Sequence, residues 1–381
     1  LIWGGIASPF VFEGEMSGNR VLVVGAGAIG LLSAYLLGRA GIAVSILDAQ
    51  GAGREASWAG GGIVSPLYPW RYSQPVTALA HWSQDFYTRF ADELVPLSGI
   101  DPEVYVTGLY WLDLEDADQA LSWAGRQRRP LFDLPITAVE AAVPALGAGF
   151  SRALHMPGVA NVRNPRLVRS LREALLRMPN VTLHEHAPVT EFIREGGQVI
   201  GVRSTCGDHY GKRIVLAAGA WSGELLVPLG VQLPVEPVKG QMILYKCTEH
   251  FLSSMVLANG RYAIPRRDGH ILVGSTLEHA GFDKTPTDEA LASLRASAET
   301  LLPALRDAEV VGHWAGLRPG SPEGIPFIGE VPEHPGLWLN CGHYRNGLVL
   351  APASCQLLVD LMLGREPIID PAPYAPAGRL S

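Results

Sequence analysis

A chain of 381 residues, 48% hydrophobic and 18% charged, has the length for two domains of roughly 100–200 residues each and is too apolar for disorder. Its net charge of -7, with Lys and Arg scattered along the chain, excludes the basic footprint that nucleic-acid binding requires. Cys206, Cys247, Cys341 and Cys355 are widely spaced and form no C-x-x-C pair, which argues against a metal site or a disulfide framework and fits a reducing cytoplasm.

Residues 1–15, ahead of Met16, lack a basic region followed by an apolar run. They read as a remnant of expression or of upstream translation rather than a signal peptide, and they are set aside from the fold. From Arg20 the chain runs through an apolar strand at Val21 to Val24, a glycine-rich turn, an apolar helix ending near Arg39, and a second strand from Ala43 to Leu47. This is a βαβ unit, and not a membrane span, because Arg39 and five glycines interrupt the apolar stretch.

Helices are expected at residues 75–97, 164–178 and 287–302, the last with Thr287 as N-cap. A buried strand at residues 212–219 ends in small residues. The periodicity then shifts to strands at 241–246, 261–266 and 270–276, with Asp268 and Gly269 as a hairpin turn, so an antiparallel sheet follows. Near the end a strand at 336–340 leads through a short loop into a helix reaching about Leu363. The nucleotide domain is thus assembled from both ends of the sequence, and the proline-rich tail from Pro367 reads as extended or loose.

Gly25, Gly27 and Gly30 suit a dinucleotide site: they allow the tight turn, the approach of backbone to a pyrophosphate, and close helix packing. The helix N-terminus adds amide donors for the phosphates. Asp48, eighteen positions beyond Gly30, closes the second strand and can accept hydrogen bonds from a ribose diol. That carboxylate would serve NAD and FAD alike. The small residues from Arg54 to Gly62 supply a second pass of backbone suited to a ribityl chain and flavin ring, or else a flexible glycine loop.

Arg318 stands between Leu317 and Pro319 in a chain poor in charge, and so calls for a partner. Its planar fork suits a substrate carboxylate, and an internal salt bridge is the equal alternative.

With these motifs the sequence resembles the D-amino-acid oxidase superfamily of flavoproteins, most closely the glycine oxidases of thiamin biosynthesis. The resemblance runs from Met16 over nearly the whole chain. It rests on the glycine motif, on Arg54 to Gly62, Pro237 to Gln241, Tyr262 to Arg266, Trp314 to Gly320 and His343 to Val349, in family order and spacing.

The resemblance implies a Rossmann-type FAD-binding domain of the glutathione-reductase type with an antiparallel-sheet substrate domain. The first would comprise residues 16–83, 150–220 and 313–366, and the second residues 84–149 and 221–312. FAD contacts are implied for Ala28, Ile29, Asp48, Ala49, Glu55, Ala56, Gly60, Gly61 and Gly62 beside Gly25, Gly27 and Gly30, and for Val189 through backbone. His343, Tyr344, Arg345, Asn346, Gly347, Leu348 and Val349 would form the loop over the pyrimidine edge of the flavin. Independently of the resemblance, a glycine-bearing loop entering a helix can aim N–H groups at the locus where charge develops on reduction.

By the same resemblance Arg318 binds the substrate carboxylate, with Arg345 at the mouth of the site and the Tyr262 hydroxyl assisting. A solvated surface charge and a core aromatic are the plain readings of these last two. No residue is assigned as a catalytic base, because hydride transfer from Cα of an already neutral amine asks mainly for positioning. With no cysteine near residues 317–321, where monomeric sarcosine oxidases attach their flavin, FAD is expected to be non-covalent.

The implied reaction is oxidation of glycine, and secondarily of sarcosine and small D-amino acids, to glyoxylate, ammonia and hydrogen peroxide with dioxygen as acceptor. Relatives are often homotetramers. The alternatives are a D-amino-acid dehydrogenase passing electrons to a quinone, a non-catalytic FAD-binding subunit, and an NAD-dependent dehydrogenase.

Overall fold

The computed structural model of the chain describes residues 20–380, so the expectation for residues 1–15 falls outside the described residues. Two sheets organise the molecule. The first has six strands in the order Phe327–Glu330, Leu337–Cys341, Arg213–Leu216, Val21–Val24, Val44–Leu47 and Val181–His184. All its pairings are parallel except the first. These strands are buried on both faces, by helices on one and largely by Phe192, Val199 and Val202 of a small antiparallel sheet on the other, and strands so buried read as continuous apolar runs, which is why VLVV and RIVL are recognisable in the sequence.

Leu31, Leu32, Ala34 and Leu37 of helix Ala28–Arg39 pack into one core with Leu350, Ala353, Leu357 and Leu358 of helix Gly347–Leu363. The latter, taken with residues 344–346, is long and apolar enough to cross a membrane. Its place in this core accounts for that composition.

The second sheet has eight strands, in the order Glu309–Gly320, Glu236–Lys246, His270–Gly274, Arg261–Pro265, Met255–Ala258, Leu109–Leu112, Arg152–Met156 and Phe132–Pro135. It is antiparallel apart from the pairing of Met255–Ala258 with Leu109–Leu112. Helix Asp288–Leu301 covers one face, and the Thr287 hydroxyl caps it by accepting from the Ala290 amide at 3.3 Å. A separate three-stranded meander comprises Val189–Glu195, Gln198–Ser204 and Gly207–Tyr210.

The structure alters three expectations. The helix expected at 75–97 is two helices, Gln74–Ser83 and Phe86–Ser98, because Asp85 leaves helical geometry at ψ 3°. The break lets the first pack on Gly347–Leu363 and the second on Asn164–Leu176. The tail is not loose: Tyr374 is buried with its hydroxyl on the Pro75 carbonyl at 2.8 Å. Arg379 donates to the carbonyls of Ile325 and Pro326 and lies 4.0 Å over the Phe327 ring. An aromatic and an arginine among the prolines give this segment anchors that composition alone conceals.

The domain boundaries also move. Arg152–Met156 and Glu309–Gly320 are strands of the second sheet rather than parts of the nucleotide domain, and Phe86–Ser98 packs in the nucleotide-domain core. A strand's sheet is decided by its partners, which local pattern does not name.

Candidate active site

The carboxyl ends of Val21–Val24, Val44–Leu47 and Arg213–Leu216 meet at one edge of the parallel sheet, the place where open α/β sheets bind ligands. A cavity of about 550 Å³ opens there and runs to the second sheet. Gly25 turns the chain at φ +105°, and a Cβ on it would stand 2.5 Å from the Ala217 carbonyl oxygen. A Cβ on Gly30 would stand 1.8 Å from the Gly25 carbonyl oxygen, so the helix can sit this close to the turn only without a side chain there. The helix N-terminus at Gly27 has no capping side chain of its own, and the Ala28 amide donates to the Ser57 hydroxyl at 2.8 Å.

Asp48 accepts from the Ala26 amide at 2.7 Å through Oδ2 and from the Gln50 amide at 2.8 Å through Oδ1, which fixes its carboxylate at the cavity wall. Burial raises its pKa, and the two amides oppose that shift. Each oxygen keeps a second lone pair for a diol.

The glycine-rich segment from Arg54 to Gly62 is held from the second sheet by Arg266, a buried arginine whose guanidinium donates to the Gly61 carbonyl at 2.7 Å, to Val162 O at 3.1 Å and to Asn161 Oδ1 at 2.9 Å. Trp314 adds a bond from its indole to the Ala59 carbonyl at 3.1 Å, and its ring meets Trp58 edge-on at 5.2 Å.

The loop before the last helix forms the far wall. His343 is buried, and its Nε2 lies 2.7 Å from Ser354 Oγ, which donates to Asn340 Oδ1 at 2.5 Å. With the serine proton committed to Asn340, His343 must carry its own proton on Nε2. Burial pushes its pKa down to about 3 from an ordinary 6.5, so the folded protein holds it neutral.

The stability that goes with a neutral His343 is complete above pH 6.5 and is lost as the pH falls toward 3, because only the unfolded chain takes up the proton in that window. We expect the melting temperature of the wild type to fall more steeply than that of H343Q between pH 6.5 and about 4, in thermal unfolding followed by circular dichroism. Parallel slopes would show that this histidine does not titrate as its burial requires.

Arg318 comes from the Glu309–Gly320 strand, opposite Val238. Its guanidinium lies flat on Gly240, where a Cβ would approach NH1 and NH2 to 2.2 Å. It donates to Ser275 Oγ at 2.8 Å and to the carbonyls of Lys239 and Thr276 at 3.3 Å. Among the described residues it forms no ion pair. Burial lowers its pKa, Tyr262 opposes that shift and the charge of Arg345 adds to it. A cation so placed keeps the rest of its planar fork for an anion that enters the cavity.

Every residue expected to bind FAD or substrate borders this cavity except Gly30, which acts from behind the turn. Tyr262 is buried, with its hydroxyl 4.0 Å from the Met242 sulfur, and Arg345 is exposed at the rim. Glu55 is tied to Lys284 and Gln50 while still lining the wall.

Several lining residues escaped sequence reasoning: Ser57, Asn164, Ala217, Trp221, Met242 and Ser275. For Ala217 a signal existed, since small residues end a strand that lies beside the glycine motif. Arg266 was visible only as a motif member without a role. Cys341 also lines the cavity, and burial pushes its thiol up to about 12, so it stays protonated and inert toward a bound ring.

The residues fit FAD: a glycine cradle at a helix N-terminus for a pyrophosphate, a fixed carboxylate for a ribose, and an elongated wall reaching Arg318, which has no ion pair among the described residues. The comparisons agree. The family described as FAD dependent oxidoreductase matches residues 20–361. A glycine oxidase from Pseudomonas aeruginosa is 68% identical over 95% of this chain and 100% of its own, and one from Pseudomonas putida is 67% identical over 95% and 99%. The crystal structure of glycine oxidase from Geobacillus kaustophilus superposes with a TM-score of 0.89 at 29% identity, covering 94% of this chain and 99% of that one. Sequence, fold and cavity together place this chain in the family of FAD-dependent oxidoreductases.

Proposed function

We propose that this flavoenzyme oxidises glycine: glycine, dioxygen and water give glyoxylate, ammonia and hydrogen peroxide. The observation that carries the reading is the guanidinium of Arg318, presented to the cavity with no carboxylate among the described residues in contact. A group held by a hydroxyl and two carbonyls keeps its charge uncompensated, and a small amino acid supplies the missing anion. The glycine oxidase relatives described above support the same substrate.

Bound FAD supplies the two-electron acceptor that takes a hydride from Cα and yields to dioxygen. The protein's part is placement. Arg318 holds the carboxylate by its fork, the Tyr262 hydroxyl donates to the same group, and Arg345 draws the anion in from the rim. Fixing the carboxylate at one end leaves Cα and the amine directed at the cofactor ring, and such orientation removes much of the barrier to a step without a side-chain base. The wall of Met242, Leu67 and Tyr262 keeps water away from the C–H bond.

A panel of glycine, sarcosine, D-alanine and D-proline under oxygen consumption tests the reading. Glycine is expected to give the highest kcat/KM, with one peroxide formed per dioxygen consumed. Reduction of a quinone dye with no oxygen uptake would assign the acceptor to a dehydrogenase instead.

A further inference from the structure

Residues 275–287 connect strand His270–Gly274 to helix Asp288–Leu301 as a strap that begins at the cavity wall with Ser275. Its start supports Arg318 through Ser275 Oγ and the Thr276 carbonyl. Its middle is tied down from beneath by the buried Lys239, whose Nζ donates to the Thr285 carbonyl at 2.6 Å and lies 3.7 Å and 3.5 Å from the carboxylates of Glu278 and Asp283. Backbone bonds between Lys239 and Glu278 reinforce the anchor.

Farther along, the strap crosses to the nucleotide domain. Lys284 Nζ meets both carboxylate oxygens of Glu55, at 2.7 and 2.9 Å, and stands 5.7 Å from the centre of the Trp221 ring. Phe282 packs on the same ring at 5.5 Å. Glu55 and Trp221 both line the cavity, whereas Phe282 and Lys284 do not. Lys284 therefore bridges two wall residues from outside, one next to the dinucleotide helix and one beyond the third parallel strand.

We propose that Lys284, with Phe282, is a clasp that keeps these two wall residues together and thereby sets the rate at which FAD leaves. The inference rests on the reading that the cavity holds FAD. To let the cofactor out on this side, Glu55 and Trp221 must part, and the clasp opposes the parting with the Lys284–Glu55 ion pair, the Lys284 ammonium over the Trp221 ring and the packing of Phe282 on that ring. The charged contact is partly exposed, the Lys284 side chain at 40% and that of Glu55 at 24%, so its contribution is modest and screened by salt. The Phe282 contact is insensitive to salt. Lys284 is a positioning residue and touches neither substrate nor the reacting atoms.

The test follows release of FAD from the yellow holoprotein by the rise of free-flavin fluorescence after dilution. In dilute buffer K284M, which keeps the aliphatic stem but not the charge, is expected to release FAD roughly two- to five-fold faster than wild type, and K284R to restore the wild-type rate. At about 1 M salt, where the screening length falls to about 3 Å, wild type and K284M should converge. F282A should release faster at both salt concentrations. Equal rates for K284M and wild type in dilute buffer, or a K284M effect untouched by salt, would overturn the clasp while leaving a yellow, FAD-binding protein. A colourless wild type would instead refute the cofactor reading beneath it.

Discussion

Replacing Arg318 with alanine is expected to lower kcat/KM for glycine by roughly 30- to 5,000-fold, the range that follows from about 2–5 kcal/mol lost when one partner of a buried charge pair is truncated. The loss should fall on KM and kcat together, because the fork both binds the carboxylate and sets the direction of Cα. Arg318→Lys keeps a charge but has no planar fork to span from Ser275 Oγ to a carboxylate, so it should recover only part of the activity. Flavin content and the visible spectrum should be unchanged in both variants. The measurement is steady-state oxygen uptake with flavin-normalised enzyme, and an unaltered KM for glycine in the alanine variant would remove Arg318 from the substrate site.

A second large effect is expected from one added methyl group. In Gly30→Ala the new Cβ would lie 1.8 Å from the Gly25 carbonyl oxygen and 3.0 Å from its carbonyl carbon, and both are backbone atoms that cannot swing aside. Either the helix Ala28–Arg39 lifts from the sheet or the turn opens. Both moves displace the Gly27, Ala28 and Ile29 backbone that lines the cavity, the proposed seat of the pyrophosphate, and loosen the packing of Leu31 and Leu37. The expected outcome is a protein purified largely without flavin and destabilised by about 3 kcal/mol, the upper part of the range for overpacking. Flavin-to-protein absorbance and urea unfolding measure the two consequences. A fully yellow variant of wild-type stability would show that the turn tolerates a side chain.

What the sequence disclosed follows from how local each signal is. The glycine turn, its helix and Asp48 lie within one short stretch, and their chemistry is legible because each depends on near neighbours. The hairpin at Asp268 and Gly269 and the cap at Thr287 were legible for the same reason. Arg318 stood out by its contrast with apolar neighbours, although that its partners are a hydroxyl and two carbonyls could be seen only in the structure.

Long-range partnerships were hidden. Nothing near Arg266 announces that it reaches the Gly61 carbonyl, and nothing near Arg152–Met156 names the sheet it joins. Trp221 and Ser275 enter the cavity wall through loops whose course depends on what they pack against. The break at Asp85 and the anchored tail belong to the same class, since both are settled by distant helices and carbonyls.

The strand order of the parallel sheet has a consequence for how the protein is made. Val21–Val24 is translated first, yet its neighbour Arg213–Leu216 follows nearly two hundred residues later, and Leu337–Cys341 completes that side later still. A nascent chain on the ribosome therefore carries the glycine turn long before it owns the far wall of the cavity. Contacts this distant in sequence slow folding, and cofactor loading becomes an event of the finished polypeptide: a product terminated before His343 would have the fingerprint of a flavoprotein and no flavin.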